Sequence, residues 1–173
     1  MEWYETVFEL IDLRSFSNLW FWIALAVMWS TASHWVLGVP FDMIARARRH
    51  EGQTVEDLHD LVRINVNRLL YIAKVSGLWI VGIASFGLTG LALLGFYYGI
   101  ELAQALLLLA LPMTLVGALT LSTAKQIELA GLQNEALYKR LTRHRMTVQL
   151  IGMVSIFMTA MWGMWQNMQI GAI

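Results

Sequence analysis

Cysteine is absent from this chain of 173 residues. Its absence excludes disulfide bonds, thiolate metal sites, cysteine-ligated iron–sulfur clusters and a Cys-x-x-Cys redox pair. A glycine-rich phosphate loop, a nucleophile elbow and a His-Glu-x-x-His zinc motif are missing as well, so no catalytic or metal-binding signature is present. We therefore predict a protein that is not an enzyme.

Charge is nearly absent from four long segments, which are apolar and aromatic instead. Hydrophobic residues make up 58% of the chain, against roughly 45–50% in soluble domains. At about 1.5 Å of rise per residue, each segment is long enough for a helix to cross a bilayer. We predict an all-α fold, a single integral membrane four-helix bundle over residues 1–173, with spans at residues 17–39, 69–98, 102–123 and 146–168.

Acidic residues are missing from the interior of these spans, and the only basic residue there is Lys74, near one end. Proton-coupled transporters and channels for charged substrates need ionisable groups along their path. The pattern therefore disfavours an autonomous pump, although a subunit of such an assembly remains compatible with it.

Basic residues are concentrated in the two polar segments, residues 40–68 and 124–145. The first polar segment and the start of the second span carry six Lys and Arg residues, the second polar segment carries five, and the opposite side has only Arg14. Because basic loops stay in the cytoplasm, we predict that both polar segments are cytoplasmic and that both termini lie outside (N-out/C-out). This asymmetry indicates the plasma membrane, which in a bacterium is the inner membrane.

Helical spacing extends from the polar segments into the neighbouring spans. An apolar stripe begins near Thr54 and predicts an amphipathic helix that continues into the second span. Residues 125–145 predict a continued helix with a break at Gly131. We therefore expect cytoplasmic helical extensions. At the acidic start of the chain, residues 1–15 form either a short interfacial helix or a frayed terminus.

Small residues recur at regular intervals on two of the predicted spans. A membrane helix keeps its shape at glycine because lipid offers its amides no other partner, and small residues let neighbouring helices approach closely. We predict that the second span is the packing centre of the bundle and that its glycine face contacts a small-residue ridge on the fourth span. The residues assigned to this packing are Gly77, Gly82, Gly87, Gly90, Ser155, Thr159 and Gly163.

Two histidines lie at similar predicted depth, His34 near the end of the first span and His144 near the start of the fourth. A b-type haem in a four-helix membrane bundle needs two such imidazoles facing each other, and an ionisable group inside a span is a functional candidate. Both histidines also lie close enough to the interface to reach water or headgroups. The pair is therefore either a haem b or quinone-associated redox site or a structural feature.

A cluster of arginines follows the first span, and further arginines precede the fourth. This arrangement is typical of binding to anionic lipid headgroups, and it also suits residues that only set the topology. Nucleic acid is disfavoured because Glu51, Glu56, Asp57 and Asp60 lie in the same segment. The candidate headgroup ligands are Arg46, Arg48, Arg49, Arg143 and Arg145.

A resemblance to known proteins is carried by residues 14–20, 35–42, 63–68 and 141–145. They resemble segments of small proteobacterial membrane proteins that often carry the label "component of SufBCD complex". The resemblance implies a link to iron–sulfur cluster assembly, whose core machinery is cytoplasmic, with the cytoplasmic loops as docking sites. It brings no catalytic motif and therefore assigns no functional residue.

These features predict a non-enzymatic accessory or scaffold subunit of an inner-membrane protein assembly, because two cytoplasmic helical segments and small-residue faces come without site chemistry. One alternative is a redox membrane protein that uses His34 and His144. Another is a small oligomeric transporter or lipid-binding subunit. The expected partners are membrane lipids and either another membrane protein or further copies of the chain, but not nucleic acid.

Overall fold

The computed structural model describes residues 15–50 and 52–170, and this part of the chain is almost entirely helical. The all-α prediction is therefore confirmed for the described residues. The two predictions for the acidic start fall mainly on residues 1–14, outside that part. The five helices of the described chain are α1 (Leu19–His34), α2 (Phe41–Ala47), α3 (Gln53–Ala92), α4 (Glu101–Ala130) and α5 (Asn134–Ile170).

Three of these helical segments are long and apolar enough to cross a membrane: Gln53–Tyr97, Glu101–Ala130 and Asn134–Met168. They overlap the predicted second, third and fourth spans. The remaining candidate, α1, has 16 residues. Its length is about 24 Å at the usual helical rise, which is less than the roughly 30 Å of a bilayer core.

A β-hairpin follows α1 and makes that helix shorter than predicted. Strand β1 (Trp35–Val36) pairs antiparallel with β2 (Val39–Pro40). The two turn residues, Leu37 and Gly38, have φ values of +52° and +76°, and such a pair of left-handed residues forms the turn that matches strand twist. The prediction of a helix through residue 39 was wrong, because the helix ends at His34.

A hydrophobic core at one end of the molecule joins the hairpin, α2, α3, α4 and α5. We call this end, which includes α2 and the α4–α5 connection, the basic end. The predicted apolar stripe of α3 faces this core, where Leu58, Val62 and Val66 are buried together with Ile127 and Leu141. Because α3 runs unbroken over 40 residues, the predicted continuous helix is confirmed.

The connections between the long helices are short at both ends. At the end opposite the basic end, which we call the Gly99 end, a π-helical turn at Leu93–Tyr97 leads through Gly99 into α4. At the basic end, Gly131 adopts a left-handed conformation with φ +54° and terminates α4. The predicted break at Gly131 is confirmed.

The long helices pack in the order α3, α4, α5, and α1 covers α5. Trp29 of α1 approaches α5 so closely that a Cβ at Gly152 would lie 2.7 Å from its Cε3 atom. Trp29 also belongs to a second buried cluster with Leu25, Val116 and Val148. As a result α3 lies at the edge of the described structure, with α4 as its main neighbour.

Candidate interaction surfaces

The apolar half of α3 is exposed along its length. No residue from 67 to 94 is buried, and Leu78 and Phe86 are 91% and 83% exposed. The prediction that this helix is the packing centre of the chain was wrong, because α4 lies beside it without covering its glycines. A Cβ placed at four glycines would meet nothing within 4 Å among the described residues: Gly77, Gly82, Gly87 and Gly90.

The small-residue ridge of α5 lies inside the molecule instead. Ser155 and Thr159 are buried, and a Cβ at Gly163 would lie 3.2 Å from Cδ1 of Phe16. The ridge therefore contacts the short 3₁₀ turn at Ser15–Ser17, and the predicted contact with the glycine face of α3 was wrong. The Ser155 Oγ is buried without a hydrogen-bond partner in the described chain.

A buried glutamine links three helices near the Gly99 end. The Nε2 of Gln104 donates to the carbonyl oxygen of Gly95 at 2.7 Å. Its Oε1 accepts from Trp162 Nε1 at 3.0 Å and from Gln166 Nε2 at 2.6 Å. A Cβ at Gly95 would lie 3.0 Å from the backbone nitrogen of Gln104, so the π-helical turn after α3 lies directly against the backbone of α4.

Further polar contacts at the Gly99 end attach the start of the described chain. The backbone nitrogen of Phe16 donates to Glu101 Oε1 at 2.7 Å, and Ser17 Oγ donates to Asn167 Oδ1 at 2.8 Å. Trp22 Nε1 donates to the carbonyl oxygen of Phe16. These bonds hold the 3₁₀ turn against both α4 and α5, an arrangement that sequence reasoning did not predict.

The two candidate haem ligands lie in different surroundings. His144 is buried, and its Nδ1 lies 3.1 Å from the hydroxyl of Thr123 on α4. His34 is exposed and packs edge-on against Trp35. Within the described residues, no group of three or more His, Cys, Asp and Glu side chains is placed to hold a metal ion. The geometry of His144 suits a structural contact between α4 and α5.

The predicted arginine cluster divides into residues with different contacts. Arg46 pairs with Asp42 on the same helix at 2.9 Å. Arg145 lies over the Phe41 ring, 3.7 Å from its centroid, and its Nε donates to the carbonyl oxygen of Ser33. Arg145 therefore joins α5 to the end of α1 and the start of α2, and it does not act as a free surface cation.

Arg48 pairs across helices. Its guanidinium donates to Glu135 at the start of α5 at 2.8 Å, and the hydrogen bond and charge of this carboxylate raise the pKa of Arg48 above its ordinary value. Arg49 and Arg143 are exposed, and neither forms an ion pair within the described part of the chain.

A groove of about 660 Å³ runs between Arg48 and one face of α5. Its polar part contains Lys139 and Arg143, and its apolar part contains Leu150. Arg48 and Arg143 were candidate headgroup ligands from the sequence and Lys139 was not, and only the fold brings Arg48 of the α2 terminus beside this face of α5.

An apolar cavity of about 630 Å³ lies between α4 and α5. Leu107 and Leu111 of α4 line one side, and Leu150 and Val154 of α5 line the other. Ser155, whose hydroxyl has no partner in the described chain, also borders it. Neither His34 nor His144 lines this cavity or the basic groove.

Comparisons with known proteins gave no match to a family model, a curated protein or a solved structure. The features that bear on function are therefore the open face of α3, the charge distribution, the basic groove along α5 and the apolar cavity between α4 and α5.

Proposed function

We propose that the protein is a non-enzymatic accessory or scaffold subunit of an inner-membrane protein assembly. In this proposal the chain crosses the membrane four times, with both termini outside. The orientation is supported by the charges, since eleven of the twelve Lys and Arg residues lie on one predicted side. The fourth crossing would be α1, whose 16 residues require local thinning of the bilayer. The exposed Trp20 lies near the start of α1 and the exposed Trp35 directly after its end, as expected for interfacial aromatic residues.

The observation that carries the proposal is the open apolar half of α3. The most apolar 18-residue window of this segment has no buried residue, whereas the corresponding windows of the segments that contain α4 and α5 are partly buried. Membrane helices associate by close van der Waals packing, and glycines allow the closest approach. A partner subunit's transmembrane helix fits this requirement, with the α3 glycines as its contact surface.

The basic end supplies a second surface for a scaffold. The α3 extension and the start of α5 pack around a shared core, so their polar faces are held in fixed relation on the cytoplasmic side. A basic end whose helices are held together by a shared core suits docking of a cytoplasmic protein. The resemblance described above suggests a component of iron–sulfur cluster assembly as one candidate for that role.

Bulky side chains on the open face provide the test. We expect the double variant Gly82→Leu/Gly87→Leu to lower recovery of the partner about tenfold in affinity purification from mild detergent, because leucine would block close helix contact. Gly117→Leu is the matched control, since a Cβ at Gly117 of α4 also meets nothing within 4 Å. Leucine favours helix more than glycine does, so neither variant should lower the stability of the folded chain.

Crosslinking from the same face identifies the occupant. A photoreactive residue at the exposed Leu78 should crosslink to a transmembrane segment of another protein, and mass spectrometry of the product identifies that protein. Recovery of the chain alone, crosslinks only to a second copy, or equal losses in the double variant and the Gly117 control would each contradict the proposed scaffold role.

A further inference from the structure

One face of α5 changes from charged to apolar along its length. Residues at intervals of three or four lie on the same side of a helix, and this spacing relates Lys139, Arg143, Met146, Leu150 and Met153. The last three are more than half exposed, at 64%, 56% and 62%. This face therefore offers cations at the basic end and an accessible apolar surface towards the middle of the helix.

The fold turns this face into a groove by placing Arg48 opposite it. The groove residues include no carboxylate. Glu135 lies beside the groove and neutralises part of the charge of Arg48. Lys139 and Arg143 form no ion pair within the described residues, so the groove keeps a net positive charge and is complementary to a phosphate anion.

The apolar part of the groove leads towards the cavity between α4 and α5. Leu150 borders both spaces. Val154 and Met158 continue at intervals of four residues along the cavity wall, so one strip of side chains connects the charged region with an apolar space. A free phosphate would use only the charged region, whereas a diacyl lipid would use both.

We propose that this groove is a binding site for an anionic phospholipid. The phosphate lies among Arg48, Lys139 and Arg143, and an acyl chain passes over Leu150 towards the cavity. The inference uses the membrane orientation of the proposed function, with the basic end at the cytoplasmic interface, but it does not depend on a protein partner. Failure of partner capture and failure of lipid binding are therefore separate results.

Lipid titration of the purified full-length chain in detergent micelles, followed by native mass spectrometry, tests the charged part. We expect phosphatidylglycerol to bind more tightly than phosphatidylcholine with the same acyl chains. Each cation near an anionic lipid contributes about a fivefold effect, so Lys139→Gln/Arg143→Gln should weaken phosphatidylglycerol binding roughly 25-fold. The control Arg63→Gln/Arg68→Gln removes the same charge from exposed positions of α3 outside the groove, and we expect it to bind like the parent chain.

A second variant and a competitor test the apolar part. Leu150→Trp should weaken phosphatidylglycerol and phosphatidylcholine alike by narrowing the acyl path, while the preference for phosphatidylglycerol is kept. Millimolar inorganic phosphate should not displace the lipid. Equal affinity for the two lipids, equal losses in both double variants, or full displacement by inorganic phosphate would overturn the proposal.

Discussion

At the scale of single residues, Gln104 connects three elements, namely α4, the turn after α3 and α5, without carrying a charge. Its amide oxygen accepts hydrogen bonds from Trp162 and Gln166 on α5, and its amide nitrogen donates one to the carbonyl oxygen of Gly95 on the turn after α3. In an apolar environment such groups are costly to leave unpaired. This glutamine therefore fixes the Gly99 end, where α3 would otherwise have few buried contacts.

Replacement of this amide by an apolar group of similar size should destabilise the protein. Gln104→Leu leaves Trp162 Nε1, Gln166 Nε2 and the Gly95 carbonyl without their partner, and we expect a loss of about 1–3 kcal/mol in the free energy of unfolding. The measurement is unfolding by sodium dodecyl sulfate in mixed micelles, followed by tryptophan fluorescence. Gln126→Leu, an exposed site on the same helix, should change the value by less than about 0.5 kcal/mol. Equal losses would contradict the role given to Gln104.

Sequence reasoning did not single out Gln104, because its partners lie 9, 58 and 62 residues away. A lone glutamine at the start of a span has no periodic pattern that would indicate burial. The arginines are different, since their excess on one side is visible in the sequence. Their individual roles still required the fold, because only tertiary contacts separate Arg145, which lies over Phe41, from the exposed Arg143.

At the scale of elements, α3 illustrates what a periodic pattern can predict. The apolar stripe that begins near Thr54 predicted an amphipathic helix, and its residues Leu58, Val62 and Val66 are buried in the core of the basic end. Beyond Lys74 the helix is apolar on all sides, so the pattern no longer identifies which face meets a neighbour. Glycine spacing indicates close packing without indicating the partner, and for this reason the predicted contact inside the chain was wrong.

The hairpin after α1 was missed because its turn chemistry is unusual. Two-residue hairpins favour Asn-Gly or Asp-Gly, whereas this turn is Leu37-Gly38. The left-handed conformation of Leu37 is compensated by its burial together with Val36 and Val39 in the core of the basic end. The preference for Asn or Asp in such a turn is therefore outweighed by the burial of Leu37 in the core, and residues 35–40 alone do not reveal that contact.

Gly38→Ala should weaken the hairpin and the core beneath it. Gly38 has φ +76°, and a Cβ there would lie 3.2 Å from Cγ of Asn65. A left-handed conformation costs about 1–2 kcal/mol for a residue with a Cβ, so we expect a loss of at least that size in the same unfolding assay. Gly117→Ala, in a right-handed helix with open surroundings, should be neutral or stabilising. Unchanged stability of the Gly38 variant would contradict the described turn.

At the scale of the whole molecule, the two ends are built differently. The basic end has an apolar core that includes Leu58, Ile44 and Leu137, and the Gly99 end is fastened by polar contacts around Gln104. Between these ends no residue of α3 from 67 to 92 is buried. A helix that is held at both ends and has no buried residue between them keeps an accessible face, which is the property that the proposed scaffold for another membrane helix needs.

The orientation of this assembly in the membrane can be tested directly, because the natural chain contains no cysteine and any introduced thiol is unique. In the proposed orientation, with the basic segments in the cytoplasm, Tyr98→Cys should react with an impermeant maleimide in intact spheroplasts, since Tyr98 is 68% exposed beside the α3–α4 connection. Arg49→Cys, exposed after α2, should react only after the membrane is permeabilised. The reverse pattern would invert the topology, and labelling of both sites in intact spheroplasts would exclude a bilayer between the two ends. Either result would remove the cytoplasmic interface on which the phospholipid groove depends.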